Sequence, residues 1–274
     1  MAHNQIRGQN ISNMKISVVI PSYNSWRTIL PLIARLYNVL TSFNYKYEIV
    51  IVDDGSEEIT IREIREIVRQ FPCVTGILLS KNYGQHIATF CGLIHTSGDI
   101  IITIDDDLKY MPEDIPALLS AIEINKKCVV YGIAQENSLI RKIIKKIFKA
   151  GALITAIDYI HGSSFRAITR PLLLDILNTT PYSVFLDQLL QWHSSVVKIL
   201  NVRTYRQNYP TRYSFSHSLK FIFNTIMGNS LVPVRLVSIL GVVVFLLACS
   251  FALYLVLKKL FFRAAIGYTS IMVS

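Results

Sequence analysis

The sequence predicts an α/β fold: a mostly parallel sheet with helices on both faces. Three observations predict it. Short β-branched runs alternate with amphipathic stretches from Ile16 to about Ala134, the runs are apolar at successive positions, and polar clusters follow them. Strands buried on both faces read as continuous apolar runs, and parallel neighbours need helical crossovers.

Taken in order, strands are expected at Lys15–Ile20, Glu48–Val52, Gly76–Leu79, Asp99–Ile104 and Cys128–Tyr131. Helices are expected between them at Thr28–Val39, Ile59–Gln70, Gln85–His95 and Glu113–Ile124. In such sheets ligands bind beyond the carboxyl ends of the strands. Pro21-Ser22-Tyr23-Asn24 follows the first strand, Asp53-Asp54-Gly55-Ser56 the second, Lys81-Asn82-Tyr83-Gly84 the third and Asp105-Asp106-Asp107 the fourth. One such cluster reads as a turn, as Asp-Gly commonly does. Four meeting on one edge make a candidate site.

Within that site the acidic triplet carries the chemistry. In an extended chain Asp105 and Asp107 project to the same side. Two carboxylates there repel unless a cation joins them, and hard oxygen donors suit Mg²⁺ or Mn²⁺. The structural alternative is a solvated loop or a helix cap beside Met111-Pro112, with Asp107 and Glu113 serving it.

Beyond residue 134 the pattern changes. Arg141, Lys142, Lys145, Lys146 and Lys149 fall on one side of a helix, and Leu139, Ile140, Ile143, Ile144, Ile147 and Phe148 on the other. This suits a helix lying in a membrane interface, although a solvated basic face gives the same pattern. A second candidate, Ser216–Met227, leads toward the uncharged stretch Val237–Leu257, bounded by Arg235 and Lys258. About 20 apolar residues at about 1.5 Å each cross about 30 Å of hydrocarbon, so the stretch reads as a transmembrane helix. Gly267–Ser274 resembles the start of a second span.

The bulk properties agree. A chain of 274 residues buries one sizeable core with room for an appendage. The net charge of +10 is not spread over a nucleic-acid-binding motif, and the basic block at 141–149 fits an anionic membrane surface or phosphate ligands, so no nucleic-acid partner is expected. Met1–Asn13 is polar, with no signal peptide. Cys73, Cys91, Cys128 and Cys249 lack metal-ligand spacing and read as reduced cytoplasmic thiols. His86, His95, His161, His193 and His217 show no zinc-like spacing.

As an ordered set, Ile20-Pro-Ser-Tyr-Asn24, Val52-Asp-Asp-Gly-Ser56, Lys81-Asn-Tyr-Gly-Gln85, Gly98-Asp99 and Asp105-Asp-Asp-Leu108 with Pro112-Glu113 resemble glycosyltransferase family 2. The similarity extends through Gly162-Ser-Ser-Phe-Arg166, Arg206–Ser214 and Leu231–Leu236, and is strongest to the branch that acts on polyprenyl phosphates. The resemblance implies a GT-A fold and an inverting enzyme that moves a sugar from a UDP- or GDP-sugar to an undecaprenyl or dolichyl phosphate on the cytoplasmic membrane face. By analogy Pro21, Tyr23, Asp53 and Asp54 would line the nucleobase, and Asn82 and Gly84 would shape the adjoining loop. Asp105, Asp106 and Asp107 would face ribose, diphosphate and metal, with Asp105 and Asp107 as the metal ligands. Arg206 would engage the donor diphosphate, and Arg141, Lys145 and Arg166 the acceptor phosphate. The resemblance leaves open a homo-oligomer built through membrane helices.

The implied organisation is a tail at 1–14, a catalytic unit at 15–210 that includes an interface helix at 138–157, a second interface helix at 211–230 and a membrane segment at 231–274. No base is conspicuous, which has a chemical reason. A phosphomonoester is already anionic and attacks without losing a proton, so its site needs cations rather than a carboxylate or histidine base.

Three departures from the family pattern stand out. Ser25 replaces an acidic residue, Tyr209 and Thr211 replace the glycine and serine of an R-x-x-G-x-S run, and Lys109 stands where relatives carry Gln. An ammonium cannot ligate a metal but can meet a diphosphate as a point charge. Two rival readings remain. Gln188–Trp192 faintly echoes the Q-x-x-R-W motif of enzymes acting on saccharide hydroxyls, with Asp187 as base, and Lys109 with Tyr209 would also fit a binding protein that has lost catalysis.

Overall fold

The computed structural model describes residues 14–134, 163–178, 186–205 and 232–262. The expected tail up to residue 13, the interface helices at 138–157 and 211–230, Arg141, Lys145, Arg206 and the second span at 267–274 lie outside the described residues.

The elements run β1 (Lys15–Ser22), α1 (Ile29–Ser42), β2 (Lys46–Asp53), α2 (Glu58–Gln70), β3 (Val74–Leu78), α3 (Gln85–Ile94) and β4 (Ile100–Thr103). They continue with α4 (Ile115–Ala121), β5 (Cys128–Ala134), β6 (Arg166–Thr169), α5 (Arg170–Asn178), α6 (Leu186–His193), β7 (Val196–Val202) and α7 (Val232–Phe262). A 3₁₀ turn at Pro112–Asp114 precedes α4. The helix expected from Glu113 is interrupted there because Pro116 has no amide for the Pro112 carbonyl. The Ile115 amide bonds that carbonyl instead and closes a tighter turn.

Seven strands form one sheet in the order β3-β2-β1-β4-β6-β5-β7. β1 lies parallel to β2 from Lys15 opposite Lys46 to Ser22 opposite Asp53, and parallel to β4 on its other side. The chain therefore builds outward from β1 to β3, then crosses back over β1 to β4. The strand order reverses between β1 and β4, and the crevice at their carboxyl ends is the favoured ligand position.

The expected parallel character holds, with one reversal. β6 is antiparallel to both β4 and β5, while β5 and β7 are parallel. Neither β6 nor β7 is among the expected strands. β6 is four residues long and begins with a charged residue, Arg166, whose burial no local pattern announces. β7 alternates half-buried and exposed positions along most of its length, so it lacks the continuous apolar run of the central strands.

Each face of the sheet has its own core. Ile16, Val18, Ile20, Ile49, Ile51, Ile100 and Ile102 meet Leu32, Ile33 and Leu36 of α1, Ile64 and Ile67 of α2, and Leu118 of α4. On the other face Val19, Ile101, Val129 and Ile168 meet Leu93 of α3, Leu172 and Ile176 of α5, and Leu189 and Leu190 of α6. The close seating of α3 depends on Gly92, where a Cβ would lie 2.4 Å from Val19 Cγ1 and 3.0 Å from Val52 Cγ2.

The chain divides into two compact units, Met1–Lys145 with Tyr159–Tyr209, and Lys146–Asp158 with Pro210–Ser274. In the second, α7 holds a 25-residue stretch, Val237–Phe261, long and apolar enough to cross a membrane. Its large apolar side chains are exposed, among them Val237, Leu247 and Phe261.

At the amino ends of the strands, away from the crevice, Glu48 ties three segments together. It accepts hydrogen bonds from Lys15 Nζ, from Ser17 Oγ at 2.6 Å and from the Ser97 amide at 2.6 Å. Burial pushes its carboxyl pKa up, but these donors outweigh burial and hold it down at about 2. A depressed carboxyl stabilises the fold above its unfolded value of 4.5, and that contribution disappears as pH falls through about 2. Glu48→Gln is expected to cost roughly 1–3 kcal/mol near neutral pH and to flatten the loss of stability between pH 4.5 and about 2, read from thermal melts of the detergent-solubilised chain.

Candidate active site

Four loops at the carboxyl edge are tied to one another mainly through carboxylates. Asp54 is buried, and its amide bonds the Ser22 carbonyl at 2.8 Å, joining the ends of β2 and β1. Its Oδ1 accepts the Tyr83 amide at 2.7 Å and its Oδ2 the Gly84 amide at 2.8 Å. Asp54, expected beside a nucleobase, thus has both oxygens engaged in fixing the third loop. Asp53 is also buried. Its Oδ2 accepts the Ser56 amide at 3.0 Å, and its Oδ1 has no hydrogen-bond partner among the described residues.

Gly55 makes the approach of these loops sterically possible. Its φ is +71°, and a Cβ there would lie 2.4 Å from the Lys81 carbonyl carbon and 2.6 Å from the Asn82 nitrogen. Glycine meets both demands without strain. Asn82, exposed, is therefore held near Asp53 and Asp54 through the backbone. At the first loop Pro21 pairs in register with Val52, Asn24 adopts φ 52°, and its amide bonds Ser56 Oγ at 2.8 Å.

The acidic triplet follows β4. Asp105 Oδ1 accepts Gln85 Nε2 at 2.5 Å and Oδ2 accepts Ser164 Oγ at 2.5 Å. Asp106 Oδ2 accepts the Tyr23 amide at 3.1 Å. Leu108 takes φ 58°, an uncommon conformation for a bulky residue, which turns its side chain inward while Asp107 and Lys109 stay exposed. Asp107 Oδ1 accepts the Lys109 amide at 3.0 Å, and Lys109 Nζ lies 5.1 Å from the centre of the Tyr110 ring.

The electrostatics reflect crowded negative charge. Burial, with the Asp107 charge adding to it against the Ser164 hydrogen bond, pushes the Asp105 carboxyl up to about 6. Burial and the two neighbouring carboxylates push Asp106 up to about 7, although it accepts hydrogen bonds from Tyr23 and Ser25. Such a site favours an incoming cation. Asp105 and Asp107 are oxygen donors suited to a hard divalent ion. Among the described residues no three His, Cys, Asp or Glu side chains are grouped to hold one unaided.

The structure thus links Pro21, Tyr23, Asp53, Asp54, Gly84, Asp105 and Asp106 across the loops, with Asn82, Asp107 and Lys109 at the exposed rim. Arg166 opens β6. Expected beside an acceptor phosphate, it is 4% exposed, its NH1 pairs with Asp187, and its Nε donates to Thr103 Oγ1 at 3.0 Å. Its place in β6 points it into this buried pair. The same pair engages Asp187, the base on the hydroxyl-acceptor reading. The family motifs give no role to Gln85, Ser56 or Ser164, although each lies within one. Their contacts join segments remote in sequence, and local spacing does not reveal those.

The sheet and its acid-lined crevice define a GT-A-type glycosyltransferase domain. The glycosyl transferase family 2 profile matches residues 17–187, and the chain belongs to that family. It is 32% identical over 255 residues to an undecaprenyl-phosphate 4-deoxy-4-formamido-L-arabinose transferase of Klebsiella pneumoniae, across 90% of this chain and 77% of that protein. It is 31% identical to the protein of the same name from Shewanella sediminis, across 97% of this chain and 80% of the relative. Among solved structures, glucosyl-3-phosphoglycerate synthase from Mycobacterium tuberculosis, in complex with Mn²⁺ and UDP-glucose, matches with a TM-score of 0.55. It covers 82% of each chain at 19% identity, a likeness of fold.

Asp54→Ala is expected to free the Tyr83 and Gly84 amides, raising their hydrogen-exchange rates and lowering stability by about 1–3 kcal/mol. Unchanged protection at both amides would show that the third loop is held by other means.

Proposed function

We propose that the chain transfers a sugar from a nucleotide-sugar to a polyprenyl phosphate at the cytoplasmic face of a membrane, with inversion at the anomeric carbon. The observation that carries this reading is the acidic triplet, held by neutral donors at the strand-order reversal, where crowded carboxyl groups favour an incoming cation. The names of the relatives, matched along most of their length, support undecaprenyl phosphate as acceptor. The apolar helix α7 supports a membrane setting, and the Mn²⁺ and UDP-glucose of the structural neighbour support a divalent ion and a nucleotide donor.

On this reading Pro21, Tyr23 and Asp53 bound the nucleobase pocket. Asn82 and Gly84 shape its wall, and Asp54 holds that wall in place. Asp105 and Asp107 would hold Mg²⁺ or Mn²⁺, with diphosphate and water completing the coordination. When bound, the ion would neutralise charge on the departing nucleotide. Lys109 and Arg206 meet the diphosphate as cations. Arg141 and Lys145 hold the acceptor phosphate, whose anionic oxygen attacks in line without prior loss of a proton.

The test is transfer of labelled sugar, from a panel of UDP- and GDP-sugars, by membranes carrying the protein to short-chain polyprenyl phosphate. A lipid-extractable product is expected. Product on saccharide hydroxyls alone, or no turnover across the panel, would overturn the reading. Asp107→Asn is expected to lower turnover by about two orders of magnitude or more. Arg141→Ala is expected to raise KM for the lipid phosphate while leaving KM for the donor near wild type.

A further inference from the structure

The hold on Asp105 is more elaborate than its own loop requires. Its two oxygens are taken by side chains from opposite flanks of β4, 20 residues upstream and 59 residues downstream. Gln85 opens α3, and its loop is pinned by Asp54 through the Tyr83 and Gly84 amides. Ser164 precedes β6, and its carbonyl accepts Thr103 Oγ1 at 2.6 Å. The same Thr103 oxygen accepts Arg166 Nε at 3.0 Å, and Arg166 is paired with Asp187. Two chains of contacts, one from the β2 end and one from α6, thus converge on a single carboxylate.

We infer that Gln85 and Ser164 are positioning residues, which fix the plane of the Asp105 carboxylate for the divalent ion and donor diphosphate. The inference rests on the proposed role of the triplet and extends it to two residues outside it. Both donors are uncharged, so they orient the carboxylate without cancelling the charge that attracts a cation. A lysine or arginine in either place would neutralise it. Each carboxylate oxygen accepts more than one bond, so both keep a lone pair for a further ligand. A carboxylate beside Asp106 and Asp107 would otherwise turn away from them, since like charges repel. Asp107 is exposed and its Oδ1 accepts the amide of its near neighbour Lys109, whereas both bonds to Asp105 come from segments remote in sequence.

The test measures Mn²⁺ binding to the full-length chain in detergent, from the spin-resonance signal of free Mn²⁺, with UDP and in parallel with GDP. Gln85→Ala and Ser164→Ala are each expected to weaken Mn²⁺ by about tenfold or more and to lower kcat in step. KM for the lipid phosphate should hold. Gln85→Glu, which sets a carboxylate against Asp105, is expected to be worse than Gln85→Ala. Ser164→Thr, which keeps the hydroxyl, is expected to recover most of the affinity. Gln85 is exposed, so its variants test the idea even if Ser164→Ala fails to fold. Mn²⁺ affinity within about twofold of wild type in Gln85→Ala would overturn the inference, whether or not the variant melts earlier. Asp105→Asn and Asp107→Asn separate the two levels. If they lose Mn²⁺ while the alanine variants keep it, only the positioning role fails. If they too bind Mn²⁺ normally, or wild type binds none with either nucleotide, the reading of the triplet fails with it.

Discussion

Five carboxylates, those of Asp53, Asp54, Asp105, Asp106 and Asp107, gather at the ends of two strands, and keeping them there is the constraint on which the domain depends. Carboxylates taken out of water need donors, or they protonate. Most donors found here are neutral: the amides of Tyr23, Ser56, Tyr83, Gly84 and Lys109, and the side chains of Gln85 and Ser164. The opposite end of the sheet follows another rule. There Glu48 is met by Lys15, and its carboxyl is held low rather than raised. One end pairs its carboxylate with a cation, and the other crowds carboxyl groups that burial and mutual repulsion push upward.

The topology makes that crowding possible. Because β4 returns beside β1, the first and fourth loops become neighbours, and the Tyr23 amide reaches Asp106 across 83 residues of sequence. Gly92 lets α3 sit close on β1, so the helix that begins with Gln85 starts within reach of Asp105. The reversed strand β6 does the same from the other side by delivering Ser164. A parallel strand in its place would enter the sheet from the far edge and carry its preceding loop away from the crevice.

Membership of glycosyl transferase family 2 is secure from the profile match, and the apolar helix α7 adds a segment suited to a bilayer. The unusual Lys109 stays at the rim rather than inside the triplet. From there its charge lowers the Asp105 pKa somewhat without joining the carboxylate's hydrogen bonds. Its position suits contact with an anionic ligand better than substitution for a metal.

The sequence by itself determined β1, β2, β4 and helices α1 to α3, because burial on one or two faces imposes a periodicity on the residues themselves. It also determined that the acidic triplet shares an edge with three other loops, since parallel connectivity puts every strand's carboxyl end there. Tertiary structure alone decided what those side chains do. Arg166 reads as a free cation until Asp187 is seen beside it, 21 residues along the chain. Asp54 reads as a ligand-facing acid until two amides from the third loop occupy its oxygens. Gln85 and Ser164 gain meaning only from Asp105. Local periodicity reports burial, whereas the partner of a polar group is set by which distant segments the sheet order makes adjacent.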